Sequence, residues 1–294
     1  MIKNTLILGL CFIAASCGSS SENDLDDNMK ADNEYSTVVD SLVYFKDQRI
    51  KTDYLSREFP DLDRGTANLL QIKSLEKELE AGDVLAGWKM GGTVGDSSKF
   101  DPLMGYMLTK NNYKPGDKIS IKKFPGAEVM IEGEVGFVFK KDLPEGVSSI
   151  EELKDAIDYA VGAVEFAQSN AIGLNGDAAT VITNHVLAFG TGQAGFMLGD
   201  KKIPMDEFGV EDETVECYID GKTAAKGEST NIYNGHLNAL YALANMLPEQ
   251  GYQIRKGDVV ITGSLYKNPT VKGQASAKLD FKTLGSIEFE ITDR

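Results

Sequence analysis

The sequence is short of several things that would direct it to other roles. It holds two histidines and three cysteines in 294 residues. It is short of positive charge, with 30 Lys+Arg against 45 Asp+Glu and a formal net of −15. Such a field repels phosphate backbones and argues against nucleic acid as a partner. A small anionic substrate would need local cations or a metal. Long apolar runs are missing too. The longest, Thr5 to Ala15, has eleven residues, and a membrane span needs roughly 20. No internal repeat is found. What is present is an ordinary globular mixture: 42% hydrophobic, 26% charged and 9% aromatic. That excludes wholesale disorder and fibrous repeats, and the length suits one large or two small domains.

The apolar run follows Lys3 and ends in Ala14-Ala15-Ser16-Cys17. Its length is that of a signal-peptide core. Small residues before a cysteine resemble a bacterial lipoprotein signal, in which the cysteine becomes the lipidated first residue. Residues 1–16 are therefore expected to be a signal peptide and Cys17 a lipid anchor, the only membrane attachment. The expected location is the cell envelope, on the periplasmic face or outer surface of a bacterial membrane. Cys11 would leave with the signal and Cys17 would carry lipid. Only Cys217 remains, so no intramolecular disulfide is available. Residues 17–35 are acidic, polar and aperiodic, and read as a disordered tether.

Residues 36–100 read as a helical N-terminal segment. Val39, Leu42 and Val43, then Leu69, Ile72, Leu75 and Leu79, recur at helical spacing. Pro60-Asp61 separates the two runs, and Gly82-Asp83 ends the second. Residues 101–294 read as a β-rich body. Strands are expected at Lys118–Lys122, Glu128–Phe139, Thr214–Ile219, Asp258–Thr262 and Ser286–Ile291. Helices are expected at Ile150–Phe166 and Gly235–Met246. The class is α+β, without the strand–helix alternation of a doubly wound sheet.

The segment Glu128–Phe139 carries the chemistry. Side chains alternate along a strand. Val129, Ile131, Val135, Phe137 and Phe139 then form a core face, and Glu132 and Glu134 project together from the other, about 7 Å apart by strand rise. Adjacent carboxylates repel and raise each other's pKa. A divalent cation relieves this, and hard oxygen donors suit Mg²⁺, Mn²⁺ or Ca²⁺. Gly133 and Gly136 suggest close backbone approach. Glu165 ends an apolar stretch where an unpaired carboxylate is costly. Lys89 lies in an apolar run before Gly91-Gly92. Two glutamates on a strand also fit a solvated face, and Lys89 also fits a strand-end surface lysine.

Together the segments FPDLDRGTANLLQ, GWKMGGT, IEGEVGFVFKKDLP, AVEFAQSN, GFMLG, NGHLNALYALANML, KGDVVITGSL and LGSIEFEI resemble the fumarylacetoacetate hydrolase superfamily. The branch is that of 2-oxopent-4-enoate hydratases and 4-oxalocrotonate-type decarboxylases. The resemblance covers about Phe59 to Ile291. It implies mixed β-sheets rolled into a sandwich, with helices outside, and a homo-oligomer. It implies that Glu132, Glu134 and Glu165 bind Mg²⁺ or Mn²⁺ and that Lys89 is catalytic. A small 2-oxo acid would chelate the cation and react through a metal-stabilised enolate, by hydration or decarboxylation. The turn Thr262-Gly263-Ser264-Leu265 would offer its hydroxyl and N–H groups to the substrate carboxylate.

Departures from the family pattern cluster at the pocket. Leu103 stands where the hydratases carry an acid, with Asp101 two positions earlier. Gln168 and Asn170 replace a family aspartate and arginine. The 183–193 region is rewritten, and a late aspartate is represented by Gln274. These changes keep two alternatives in view: a catalytically impaired metal and 2-oxo-acid-binding lipoprotein, or an acylpyruvate-type hydrolase or tautomerase. The hydrolase branch uses a His–Glu pair, and no histidine lies near Lys89 in sequence. A cap or turn role is expected for His185 and a structural role for His236.

Overall fold

The structure is a computed structural model that describes residues 22–93, 102–172, 179–232 and 234–294. Residues 1–16, where a signal peptide is expected, together with Cys17 and Asp101, lie outside the described residues. Two units are distinguished, residues 1–37 and 38–294. In the first, the backbone is helical from Glu22, the leading part of α1 (Glu22–Asp47). This differs from the expected structureless tether. No glycine or proline falls between Gly18 and Pro60, so the sequence there holds no strong helix breaker. No helix among the described residues is long and apolar enough to cross a membrane.

The second unit continues α1 with Leu42 fully buried. Next come α2 (Tyr54–Glu58) and α3 (Arg64–Glu80). The Asp63 side chain caps α3 by accepting the Thr66 N–H at 2.9 Å, and Gly82 at φ +99° ends it, as the chain must leave the helix in the left-handed region. Then follow β1 (Leu85–Gly91), β2 (Leu103–Leu108), β3 (Asn112–Tyr113), β4 (Lys118–Ser120) and β5 (Val129–Phe139). After them come α4 (Ile150–Ala156), β6 (Ile157–Ala167), α5 (Ala179–Ala188), β7 (Gln193–Pro204), β8 (Thr214–Ile219), β9 (Lys222–Glu228) and α6 (Gly235–Met246). The chain closes with β10 (Val259–Ile261), β11 (Thr270–Val271), β12 (Ala275–Phe281) and β13 (Gly285–Thr292).

The strands form two sheets. The larger has the order β2-β1-β10-β5-β6-β7-β3, with β11 pairing the other stretch of β5, and the smaller β4-β13-β12-β8-β9. They pack face to face. Phe166 of β6 meets Phe289 of β13 edge-on at 5.1 Å. Val129, Ile131, Val135, Phe137 and Phe139 are at most 1% exposed, so one face of β5 is the core face the alternation predicts. At Gly133 an added Cβ would lie 2.8 Å from the Tyr266 ring, the close approach its lack of a side chain permits.

Two expectations are corrected. The span Ile150–Phe166 is not one helix. Ser149 caps α4, which stops at Ala156, and Ile157–Ala167 continues as a strand. That segment is apolar on both faces and rich in Ile, Val, Tyr and Phe, so periodicity does not distinguish a buried strand from a buried helix. Nor does a domain boundary fall near residue 100. Strand β1 is an inner strand of the larger sheet, between β2 and β10, so the second unit carries its helices and strands together.

Candidate metal and substrate site

Strand register assembles the site. Glu132 of β5 stands opposite Glu165 of β6, and Glu134 opposite Ala163. Directly opposed antiparallel residues share a sheet face, so the three glutamates project from the same side. On the other flank of β5, Gly136 pairs with Ile261 of β10, and Ile261 with Lys89 of β1. Lys89 therefore emerges on that face as well. Each of Glu132, Glu134 and Glu165 offers an oxygen, all within 4.8 Å of one another. Lys89 Nζ lies 3.0 Å from Glu165 Oε1 and donates to the Thr191 carbonyl at 3.2 Å.

The burial is severe. Glu134 and Glu165 are 0% exposed and Lys89 4%, while Glu132 keeps partial exposure. Three carboxylates and one ammonium would sum to −2, a charge that a low-dielectric interior does not hold without compensation. Burial, with the Glu165 charge added and Lys89 opposing, pushes the Glu132 carboxyl up to about 8. Burial and the charges of Glu165 and Glu132 hold Glu134 well above the usual carboxylate range. Burial works against the Lys89 ammonium, but Glu165, Glu132 and Glu134 outweigh it and raise its pKa. Oε1 of Glu134 and Oε2 of Glu165 are buried without a hydrogen-bond donor, and Oε1 of Glu165 faces only the Lys89 ammonium. An all-oxygen set with orphaned lone pairs fits a hard divalent cation of charge +2.

The loop between β10 and β11 fixes these glutamates. After Ile261 the chain leaves the sheet, and Gly263 at φ +111° makes the bend. A Cβ there would fall 1.9 Å from Thr93 Oγ1, so only glycine fits. The Gly263 N–H donates to Glu134 Oε2 at 2.7 Å. Asn268 Nδ2 donates to Glu132 Oε1 at 2.7 Å. The Ser264 hydroxyl anchors Asn268 by donating to its Oδ1 at 2.6 Å.

The turn expected to face a substrate, Thr262, Gly263, Ser264 and Leu265, makes several hydrogen bonds within the protein. The Thr262 hydroxyl is fully buried between His236 Nδ1 at 2.7 Å and the Val135 carbonyl at 3.3 Å. The Leu265 N–H donates to the Gly133 carbonyl at 2.9 Å. The Thr262 and Ser264 hydroxyls and the Gly263 and Leu265 N–H groups are thus engaged within the protein, and the turn helps to position Glu132 and Glu134.

The remaining expected residues divide. Leu103 pairs with Gly91, is 7% exposed, and shares the Lys89 face of the sheet, so the departure from the family acid falls beside the site. Between them Gly105 is required: a Cβ there would sit 2.9 Å from Lys89 Cδ and 3.0 Å from the Gly190 carbonyl. His185 does not join the cluster. Its Nε2 contacts the Phe59 carbonyl at 2.8 Å, tying α5 to the turn before α3. His236 bridges Thr262 and Ser229; burial lowers its pKa to about 4, so it stays neutral. Asn170 donates to the Phe45 and Ile50 carbonyls. Asn268 and Thr191 were not singled out by sequence, since each acts through a loop whose path is set by the strands around it.

No protein-family model matches the chain. It is 23% identical over 260 residues to a 2-oxo-hept-4-ene-1,7-dioate hydratase of Escherichia coli, covering 86% of this chain and 96% of that protein. A 4-oxalocrotonate decarboxylase from Pseudomonas putida G7, solved with magnesium and adipate, superposes with a TM-score of 0.78 at 20% identity, over 87% of this chain and 97% of the other. A fumarylacetoacetate hydrolase from Exiguobacterium antarcticum superposes with a TM-score of 0.57 at 12% identity, over 72% and 76%. The two packed mixed sheets of the second unit are the fumarylacetoacetate hydrolase fold.

Proposed function

We propose that this chain is a divalent-cation-dependent lyase acting on a small 2-oxo acid, either adding water to a conjugated alkene or releasing a carboxyl group. The observation that carries this reading is the trio Glu132, Glu134 and Glu165 beside Lys89, with Glu134 and Glu165 fully buried and each keeping a donor-free oxygen. Glu132, Glu134 and Glu165 would hold Mg²⁺ or Mn²⁺. When bound, such a cation supplies Lewis acidity toward the adjacent carboxylate and keto oxygens of a 2-oxo acid. Lys89 contributes a positive charge where negative charge develops, and it is the proton carrier of the cluster. Leu103 and Gly105 shape an apolar flank next to it. The similarity to the hydratase over most of both chains supports the same reaction class.

The test is to add Mg²⁺ or Mn²⁺ to metal-free protein and follow loss of 2-oxo-dienoate absorbance. Turnover that needs the cation and disappears in Glu132→Ala is expected; unchanged turnover in that variant rejects the reading. A second reading, binding without catalysis, is favoured by Leu103 on the Lys89 face. It predicts 2-oxo-acid binding with no turnover in the same assay. We also infer attachment to a membrane through Cys17, supported by the short apolar run that ends at it. Incorporation of labelled palmitate that persists in Cys17→Ser would refute this.

A further inference from the structure

Each of the three carboxylates has one oxygen engaged by a nitrogen, two through hydrogen bonds and one through an ion pair. Glu132 Oε1 accepts from Asn268, Glu134 Oε2 accepts from the Gly263 N–H, and Glu165 Oε1 faces Lys89 Nζ. Each side chain is left with its other oxygen for a cation. Of these three occupying donors, the amide of Asn268 is the one supplied by a side chain with no charge. It is held from behind, since Ser264 Oγ donates to Asn268 Oδ1 at 2.6 Å and also contacts the Tyr266 carbonyl at 3.0 Å. The amide is thus oriented with its NH₂ toward Glu132. Pro269 follows Asn268 directly, and its carbonyl accepts the Ile131 N–H at 3.0 Å. The loop is therefore pinned to β5 one residue after Asn268 and one residue before Glu132.

Resting on the metal-site reading above, we propose that Asn268 is a positioning residue that keeps Glu132 a one-oxygen ligand and thereby selects a small octahedral cation over calcium. Mg²⁺ takes six ligands in near-ideal octahedral geometry, whereas Ca²⁺ takes six to eight and commonly uses both oxygens of a carboxylate. One oxygen from each glutamate would supply three of the six ligands that Mg²⁺ takes and would leave the others to substrate and solvent. A second oxygen from Glu132 would crowd that set for Mg²⁺ and complete a larger shell for Ca²⁺. The Asn268 amide occupies that second oxygen. Outer partners of this kind commonly change metal affinity by about 10- to 100-fold when removed.

The experiment is calorimetric titration of the full chain, freed of metal by chelation, with MgCl2 and separately with CaCl2. Wild type and Asn268→Leu are compared, the leucine filling similar space without a donor. Wild type should bind Mg²⁺, and in Asn268→Leu the ratio of Mg²⁺ to Ca²⁺ affinity should shift toward calcium by about tenfold. Ser264→Ala, which removes the anchor but leaves the amide, should shift the ratio in the same direction by less, and it carries the test alone if Asn268→Leu does not fold. Ratios within twofold of wild type in the folded variants overturn the proposal while leaving the metal site standing. Failure of wild type to bind either cation overturns the metal-site reading itself, and this proposal with it.

Discussion

Binding of Mg²⁺ at neutral pH should expel protons from the protein. The magnitude follows from the cluster. With Glu132 at about 8, its carboxyl is about nine-tenths protonated at pH 7 by simple titration. Glu134 stands well above the usual carboxylate range and adds to the proton load. The two titrate as a pair, so the measurable quantity is their sum. A cation requires the ionised forms, so loading at pH 7 should release between roughly one and two protons per site. Calorimetry at fixed pH in buffers of different ionisation enthalpy counts them directly. The apparent affinity should rise by roughly ten- to a hundredfold per pH unit between pH 6 and 8. The stability of the metal-free protein should move the other way. Glu132 is raised in the fold above its ordinary value of 4.5, so the folded state binds more protons than the unfolded chain between those limits. Stability therefore falls as pH rises from about 4.5 through about 8, and added Mg²⁺ should raise the melting temperature most at the upper end. Proton release near zero, with a flat affinity from pH 6 to 9, would refute the picture of a charge-frustrated carboxylate cage.

Three further outcomes are expected. Lys89→Met should retain Mg²⁺ binding, since it removes a cation from an anionic cluster, yet lower turnover of a 2-oxo acid by at least about a hundredfold; equal losses in binding and turnover would contradict the division of roles. Gly105→Ala should displace the Lys89 side chain, because the new Cβ would meet its Cδ at 2.9 Å, at an overpacking cost of about 1–3 kcal/mol read from urea unfolding. Glu78→Ala lies away from the site, where buried Glu78 is bonded to Lys46 at 2.7 Å, to Tyr106 and to Lys110 at 3.3 Å. Removing it leaves two lysines without that partner and should cost about 3 kcal/mol, with Mg²⁺ affinity unchanged in the same calorimetric assay.

Some of this molecule is legible in one dimension. The alternation in Glu128–Phe139 gives a strand with a core face and two neighbouring glutamates on the other, because side-chain direction in a strand depends on sequence spacing alone. The helical spacing of α3, the Asp63 cap and the stop at Gly82 are equally local. The partnership of Glu132 and Glu134 with Glu165 came through the family resemblance, and its physical basis was hidden. Local pattern placed Glu165 on a helix, whereas an antiparallel ladder 33 residues away in sequence sets it opposite Glu132.

Tertiary structure alone decided the rest. The turn at Thr262–Leu265 carries the donors that an anion site would need, and nothing in its sequence shows that the Thr262 hydroxyl and the Gly263 and Leu265 N–H groups have partners in the fold. Their partners, His236, Val135, Glu134 and Gly133, come from other elements of the fold. Asn268 reaches Glu132 only because the loop is pinned between two pairing stretches of β5. The short-range sequence therefore determined which strands exist and which way their side chains point. The order and register of those strands, fixed by packing the two sheets together, determined which oxygens stay free and which are held.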